Sequence, residues 1–195
     1  MTIRTRFIYS KRGGACFVPH IALAQLFSRS AVRAGLKLAM TQGFSPRAKI
    51  SFGPELPAGV VALNEPVDMY FDDEGLSTNI QTLMNSSLPE GFKISRVIFP
   101  DDNSPAIGKL CTHAEYLARI GLNLSEYARE FFGTEIIFHE EIDNWLRFII
   151  LAPAQHPIGG FVKFLINQKV INGWHEINIV RSNIGQFDGE KVYLS

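Results

Sequence analysis

The order in which extended and helical patterns follow one another constrains the fold of this chain more than any other feature. Over residues 3–99, apolar positions recur at a period of two, then at helical spacing, and the two periods alternate. The order is strand, helix, strand, strand, helix, strand, which is typical of a split βαβ unit. The predicted extended segments are 3–9, 36–40, 50–52, 60–63, 66–71 and 92–99, and the predicted helices are 19–34 and 76–88.

The same order recurs after residues 100–109, which have the Pro, Asp, Asn and Ser content of a linker. Strands are predicted at 113–120, 135–139, 146–151 and 176–181, and helices at 125–132, capped by Ser125, and 158–167. We therefore predict an α+β fold with two ferredoxin-like (split βαβ) lobes, antiparallel sheets and helices packed on one face. We expect residues 1–100 to form an N-terminal ferredoxin-like lobe and residues 110–195 a C-terminal α+β lobe.

Charge is distributed unevenly along the chain. Residues 1–60 hold nine Lys or Arg and one acid, Glu55, whereas residues 61–195 hold ten Lys or Arg and eighteen acids. The formal charges of the two parts are therefore about +8 and about −8, by counting the sequence. This asymmetry indicates an acidic partner such as nucleic acid for the N-terminal part, or attraction between the two parts within one fold.

Composition argues against several classes of protein. The longest apolar run, 148–152, is far shorter than the roughly 20 residues of a membrane-spanning helix. No apolar stretch follows Arg4 and Arg6, so we expect no secretory signal, no membrane association and a cytoplasmic location. Two cysteines, Cys16 and Cys111, are too few for an iron–sulfur cluster, and we expect no metal and no other cofactor.

The strongest candidate site combines one helix with the loop that follows it. Helical spacing places Arg29 and Arg33 on one stripe. Gly and Pro punctuate residues 43–59, which offer backbone N–H groups and cations to an anion, or alternatively form tight turns between short strands. The candidate ligand- or RNA-binding residues are His20, Arg29, Arg33, Gln42, Phe44, Arg47 and Lys49. We expect them to converge on one surface, with Phe44 exposed.

His20 lies at the start of the predicted helix, where the helix dipole favours a neutral imidazole. Such a group suits a general base or a hydrogen-bond donor to phosphate, although capping or packing is the commoner role for a histidine at this position. We therefore predict no catalytic residue, and His20 is the candidate base if the protein is an enzyme.

Several motifs in the N-terminal part of the chain resemble one family of bacterial proteins. They are Ser10-Lys11-Arg12-Gly13, Phe17 to His20, Arg29 with Ala31 to Leu36, Gln42 to Phe52, and Leu56 to Gly59. Together, over roughly residues 3–99, they resemble the radical SAM-linked family of uncharacterised bacterial proteins, DUF2344. Pro19 and Ser45 stand where serine and asparagine are usual in that family, and Ile21-Ala22 replaces Leu-Asp. The second half matches poorly, so no residue role is transferred to it.

The resemblance implies an accessory domain that presents RNA or a ribosomal component to a radical SAM enzyme acting in trans. A looser similarity of fold order and early histidine, to the ferredoxin-like CRISPR repeat endonucleases, implies instead a metal-independent ribonuclease that uses His20. A third hypothesis is a protein-docking module whose basic surface meets the radical SAM enzyme itself. Among these, the charge pattern favours the non-catalytic RNA-binding protein.

Overall fold

A nine-stranded, largely antiparallel sheet and five α-helices make up a mixed α+β fold in residues 2–72 and 79–194, which this computed structural model describes. The strands are β1 (Thr2–Lys11), β2 (Ile50–Phe52), β3 (Val61–Asp72), β4 (Phe92–Ile98), β5 (His113–Arg119), β6 (Ile136–Ile142), β7 (Trp145–Leu151), β8 (Asn178–Phe187) and β9 (Val192–Tyr193). The helices are α1 (His20–Arg33), α2 (Ile80–Ser87), α3 (Ile107–Leu110), α4 (Ser125–Phe132) and α5 (Ile158–Asn167). None of these helices is long and apolar enough to cross a bilayer.

The strands of each half pair in the same relative order. The first half has the order β4-β1-β3-β2 and the second half β8-β5-β7-β6, with antiparallel pairing throughout each half. A short parallel pairing joins them, in which Val61 and Ala62 of β3 face Val180 and Arg181 of β8. The sheet is therefore continuous from β4 to β6.

Alternation along the strands sets up two hydrophobic clusters. In the first half Phe7 and Tyr9 point towards α1, where the Tyr9 and Phe27 ring centroids are 4.9 Å apart. In the second half the corresponding cluster contains Phe148, which packs against Phe161 of α5 at 6.2 Å. The second cluster also takes in buried residues of the first half, among them Ile8, Val60 and Ala62. It therefore extends across the junction of the two halves.

Most of the predicted elements are confirmed, with two differences. The predicted strands at 60–63 and 66–71 are one strand, β3. Pro66 lies between the stretch of β3 that pairs with β2 and the stretch that pairs with β8. It is tolerated there because, on that edge of β3, its missing N–H breaks no ladder. The segment 36–40 forms only isolated bridges, at Leu38 and Met40. Residues 76–78, at the start of the predicted helix 76–88, lie outside the described residues.

The predicted capping role of Ser125 is wrong. Ser125 is the first residue of α4, and its hydroxyl donates to Glu141 at 2.9 Å instead of accepting a bond from the helix. The side chain of Asn123 accepts the Ser125 backbone N–H at 2.8 Å. The asparagine two residues earlier therefore satisfies a donor at this helix start, by the Asx geometry that favours it in turns.

Candidate nucleic-acid interface

The loop 41–47 projects from the sheet on a short, hydrogen-bonded neck. Met40 and Ala48 form an antiparallel bridge, the Thr41 N–H donates to the Arg47 carbonyl at 2.7 Å, and the Arg47 N–H donates to the Thr41 hydroxyl at 3.0 Å. Gly43 has a φ of +131°, which side chains rarely adopt. Every residue of the loop is exposed, yet its two ends are fixed.

Phe44 lies in this loop with its side chain wholly in solvent, at 110% of the reference exposure. Its predicted exposure is confirmed. Leaving a phenylalanine ring in water forgoes about 1.5–3 kcal/mol of burial. Met40 at the neck is also 54% exposed. The loop therefore offers a ring and a thioether to a ligand, with Gln42 and Arg47 exposed beside them.

Ion pairs within the first half neutralise part of its formal positive charge. Arg4 and Arg6 both donate to the buried carboxylate of Asp68, at 2.6 and 2.8 Å. Lys37 lies 3.7 Å from Asp72. Both acids lie on β3, beyond the segment 1–60 whose charge is about +8 by sequence. The surface of this half is therefore less basic than residues 1–60 alone indicate.

The predicted cations differ in how freely they face solvent. Arg33 donates to the Ser87 carbonyl at 2.6 Å and to the Ser30 hydroxyl at 3.0 Å, so it ties α1 to the end of α2. The Lys49 Nζ lies over the Tyr70 ring, 4.1 Å from the ring centroid. Arg29 and Arg47 are exposed and make no side-chain hydrogen bond or ion pair within residues 2–72 and 79–194. These two guanidiniums are available to an anion.

His20 is the first residue of α1 and lies away from the loop. Its ring is half-buried, with its centroid 5.6 Å from that of Phe52 at the far end of β2. Phe52 follows Arg47 by five residues of extended chain, or roughly 16 Å. Burial lowers the pKa of His20, and the nearby Glu55 opposes that effect only in part. The structure therefore separates a neutral imidazole from the exposed loop instead of joining them.

Three of the sequence motifs meet beneath the start of α1. The Gly59 N–H donates to the Cys16 carbonyl at 2.9 Å, and the Lys11 ammonium donates to the Val18 carbonyl at 3.3 Å. Lys11 is only 2% exposed, and burial lowers its pKa. Alternation along β1 carried the signal for this burial, because Lys11 follows Tyr9 on the same side of the strand.

The loop 53–59 serves packing between the halves. Leu56 is buried in the cluster of the second half, and Pro57 lies so close to Gly159 of α5 that a Cβ there would come within 3.3 Å. Arg181 donates to the Pro54 carbonyl at 3.0 Å. The alternative interpretation of this stretch as structural turns therefore describes residues 53–59, whereas residues 41–47 stay exposed.

Large apolar side chains are exposed on either side of the start of α1. Phe17 is 72% exposed and Ile21 is 90% exposed. Val32, near the other end of the helix, is 66% exposed. Sequence reasoning missed these side chains as surface groups because helical periodicity assigned Ile21 to the buried face.

Metal ligands do not cluster in the described residues. Across 2–72 and 79–194, no three His, Cys, Asp or Glu side chains come together in a way that could hold a metal ion. Cys16 and Cys111 are both buried as free thiols.

Comparison with known proteins identifies a family by sequence. A family model described as "Uncharacterized protein conserved in bacteria (DUF2344)" matches residues 4–148. The match covers about three quarters of the chain and reaches β7, well beyond the segment 3–99 in which the resemblance was expected. No curated protein is significantly similar to the chain.

Proposed function

This chain belongs to the DUF2344 family, and we propose that it is a non-catalytic accessory protein that binds RNA or a ribonucleoprotein through the loop 41–47. The observation that carries the proposal is the fully exposed ring of Phe44 on a loop with a fixed neck, three residues from Arg47, whose guanidinium has no side-chain partner among the described residues.

The chemistry of this loop suits unpaired nucleotides. Proteins that bind single-stranded segments and loops of RNA stack bases on aromatic side chains and on guanidinium planes. Phe44 and Arg47 supply one of each, and the amide of Gln42 can bond to a base edge. Because the neck already orders the backbone, less conformational entropy is lost when a ligand binds.

Phosphate attraction supports the same ligand. Arg29 and Arg47 are exposed and have no carboxylate partner within residues 2–72 and 79–194, whereas Arg4, Arg6 and Lys37 have carboxylate partners. Exposed cations without partners contribute to affinity for a polyanion through the release of its counterions. RNA binding that uses Arg29 and Arg47 is therefore expected to weaken as salt increases.

We further propose that each half is a ferredoxin-like lobe, 1–100 and 110–195, with its helices on one face of its strands. The orders β4-β1-β3-β2 and β8-β5-β7-β6 support this, because both follow the split βαβ pattern. A radical SAM enzyme acting in trans is the proposed partner of the protein–RNA complex, and the cytoplasm, where bacterial RNA and ribosomes reside, is its proposed location.

Salt-dependent RNA binding tests the proposal. An RNA hairpin with an unpaired loop would be titrated with wild type, Arg47→Ala, Arg29→Ala and Lys163→Ala at several KCl concentrations. Lys163 is an exposed cation of α5 and serves as the matched control. We expect weaker binding and a shallower salt dependence for Arg47→Ala and Arg29→Ala only, with each lost contact removing about 0.7 from the log–log slope. Affinity that ignores salt, or identical loss in Lys163→Ala, would refute it.

One observation favours a second function, docking to a protein. Phe17 and Ile21 expose large apolar side chains at the start of α1, where a radical SAM enzyme could cover them. In that case, the purified complex would contain the enzyme without nucleic acid, and Phe17→Ser with Ile21→Ser would release it. A high ratio of absorbance at 260 nm to that at 280 nm in the complex would count against docking as the sole role.

The ribonuclease alternative depends on His20. A neutral, half-accessible imidazole could act as a general base at neutral pH. The proposal of a non-catalytic protein predicts that RNA stays intact with the wild type in EDTA. Cleavage in EDTA that disappears in His20→Ala would establish the ribonuclease instead.

A further inference from the structure

An elongated groove lies on the side of β1, β3 and β4 that faces away from α1 and α2. It consists of two adjoining depressions of about 520 and 670 Å³, which share Asn64 and Ser95 in their walls. Each volume lies in the range of ligand-binding clefts. Because the two depressions are contiguous, the groove fits an extended ligand better than a compact one.

A β-bulge turns an additional cation into this groove. Along β1, Ile8 faces Arg96 while Tyr9 faces Ile94, so Ser95 of β4 has no residue opposite it. Without the bulge, alternation would send Arg96 to the side of Ile94, which is buried under the helices. The extra residue instead leaves Ser95 and Arg96 lining the same depression.

The bulge is held by two side-chain hydrogen bonds. The Ser95 hydroxyl donates to the Ile8 carbonyl at 3.2 Å, and Arg96 donates to the Leu194 carbonyl at 3.1 Å. The second bond also fastens Leu194 along the groove. Hydrogen bonds within the protein therefore position Ser95 and Arg96 in the wall of the groove.

The groove is positively charged. Its lining contains the four cations Arg12, Lys93, Arg96 and Lys191 and one acid, Asp188. The Asp188 carboxylate already accepts the backbone N–H groups of Glu190 and Lys191, at 3.0 and 2.9 Å. Tyr193, 40% exposed, adds an aromatic ring to the wall.

We propose that this groove is a second RNA site, which binds the backbone of a single strand. Arg12 and Lys93 contact phosphates, and Tyr193 stacks on an unpaired base. Cations lining a groove beside an aromatic ring are the features of sequence-tolerant single-strand binding. An acidic peptide would use the cations but would leave the ring without a base to stack on. The inference rests on the proposed RNA-binding function and assigns it a second surface, separate from the loop 41–47.

The test uses the full chain and two labelled RNAs, a 12-nucleotide oligouridine and the hairpin. The groove variant is Arg12→Ser with Lys93→Ser, and its matched control is Lys109→Ser with Lys163→Ser, two exposed cations outside the groove. Fluorescence anisotropy at several KCl concentrations should show that the groove variant loses about 1.4 from the salt slope for oligouridine. Tyr193→Ala should weaken oligouridine binding on the order of tenfold.

The outcomes separate this inference from the proposed function. If the groove variants bind oligouridine like their control while Arg47→Ala loses the hairpin, the groove is refuted and the function of the loop stands. If the groove variants lose oligouridine while Arg47→Ala keeps the hairpin, the groove stands and the loop is refuted. Displacement of oligouridine by an equal concentration of polyglutamate, with no effect of Tyr193→Ala, would overturn the groove as an RNA site.

Discussion

Arg181 and Glu65 form a bidentate ion pair that joins the two halves of the protein, with N–O distances of 2.7 and 2.5 Å. Arg181 is completely buried, and its guanidinium also reaches the Pro54 carbonyl. It lies where β8 pairs with β3. Burial alone would lower the pKa of Arg181, but the attraction and hydrogen bonds of Glu65 and Tyr116 together raise it above its usual value.

Removing one member of this pair should destabilise the protein strongly. Arg181→Met leaves the Glu65 carboxylate buried without its partner, and we expect the free energy of unfolding in urea to fall by about 3–5 kcal/mol. Lys37→Met, which breaks the exposed contact with Asp72, should cost less than about 1 kcal/mol. The double variant Arg181→Met with Glu65→Leu should recover much of the loss. Equal effects of Arg181→Met and Lys37→Met would contradict this role.

Glu115 should make the second half sensitive to acid. Burial alone would raise its pKa, but hydrogen bonds from Asn183, Arg147 and Ser182 outweigh burial and lower the pKa below its usual value. The contribution of Glu115 to stability is therefore complete above about pH 4.3, the value of the unfolded chain, and is lost as pH falls through the lower folded pKa.

Urea denaturation of Glu115→Gln from pH 7 to pH 3 measures this contribution. The variant should be less stable than the wild type at pH 7, and the difference should shrink below pH 4. Asp101→Asn, at an exposed position in the linker, is the control. A difference that stays constant with pH would contradict the prediction.

Gly91 should not tolerate a side chain. Its φ is +88°, and a Cβ there would lie 2.5 Å from the Arg12 carbonyl and 2.7 Å from the Ala15 Cβ. Gly91→Ala should therefore lower the melting temperature. Each loss of about 1 kcal/mol in the free energy of unfolding lowers it by several degrees. Gly108→Ala is the control, because a Cβ at Gly108 meets nothing within 4 Å. Similar melting temperatures for the two variants would show that the turn can rearrange freely.

His20 should titrate below its usual range. Burial lowers its pKa, so the folded state favours the neutral ring, and its contribution to stability is lost as pH falls below about 6.5. NMR titration of the His20 imidazole protons should give a midpoint below about 6.5, the usual value for histidine. A His20 midpoint above 6.5 would show that Glu55 dominates over burial.

Local pattern predicted most of the secondary structure, because its signals lie within a few residues. The alternation of β1 and the helical period of α1 and α4 needed no long-range information. The short β9 and α3 carried too few residues for a period to show. Pro66 divided β3 in the prediction because its tolerance depends on which strands pair beside it.

The candidate site was predictable only in part, because pairing between distant residues decides which charges remain free. Exposure of Phe44 followed from its neighbours, Gly43 and Ser45. The neutralisation of Arg4 and Arg6 by Asp68 spans more than sixty residues, and no spacing rule reports it. The same holds for Arg181 and Glu65, which are 116 residues apart.

The affinity of Phe44→Ala for RNA tests the central claim most directly. Its ring has no burial to lose, so the variant should fold like the wild type. Phe99→Ala, which removes another exposed phenylalanine outside the loop, is the matched control. In anisotropy titrations with the RNA hairpin, Phe44→Ala should weaken binding by about 1–3 kcal/mol, as the loss of one stacked base predicts, and Phe99→Ala should leave it unchanged. Equal affinities of Phe44→Ala, Phe99→Ala and the wild type would contradict an RNA-binding role for the loop 41–47.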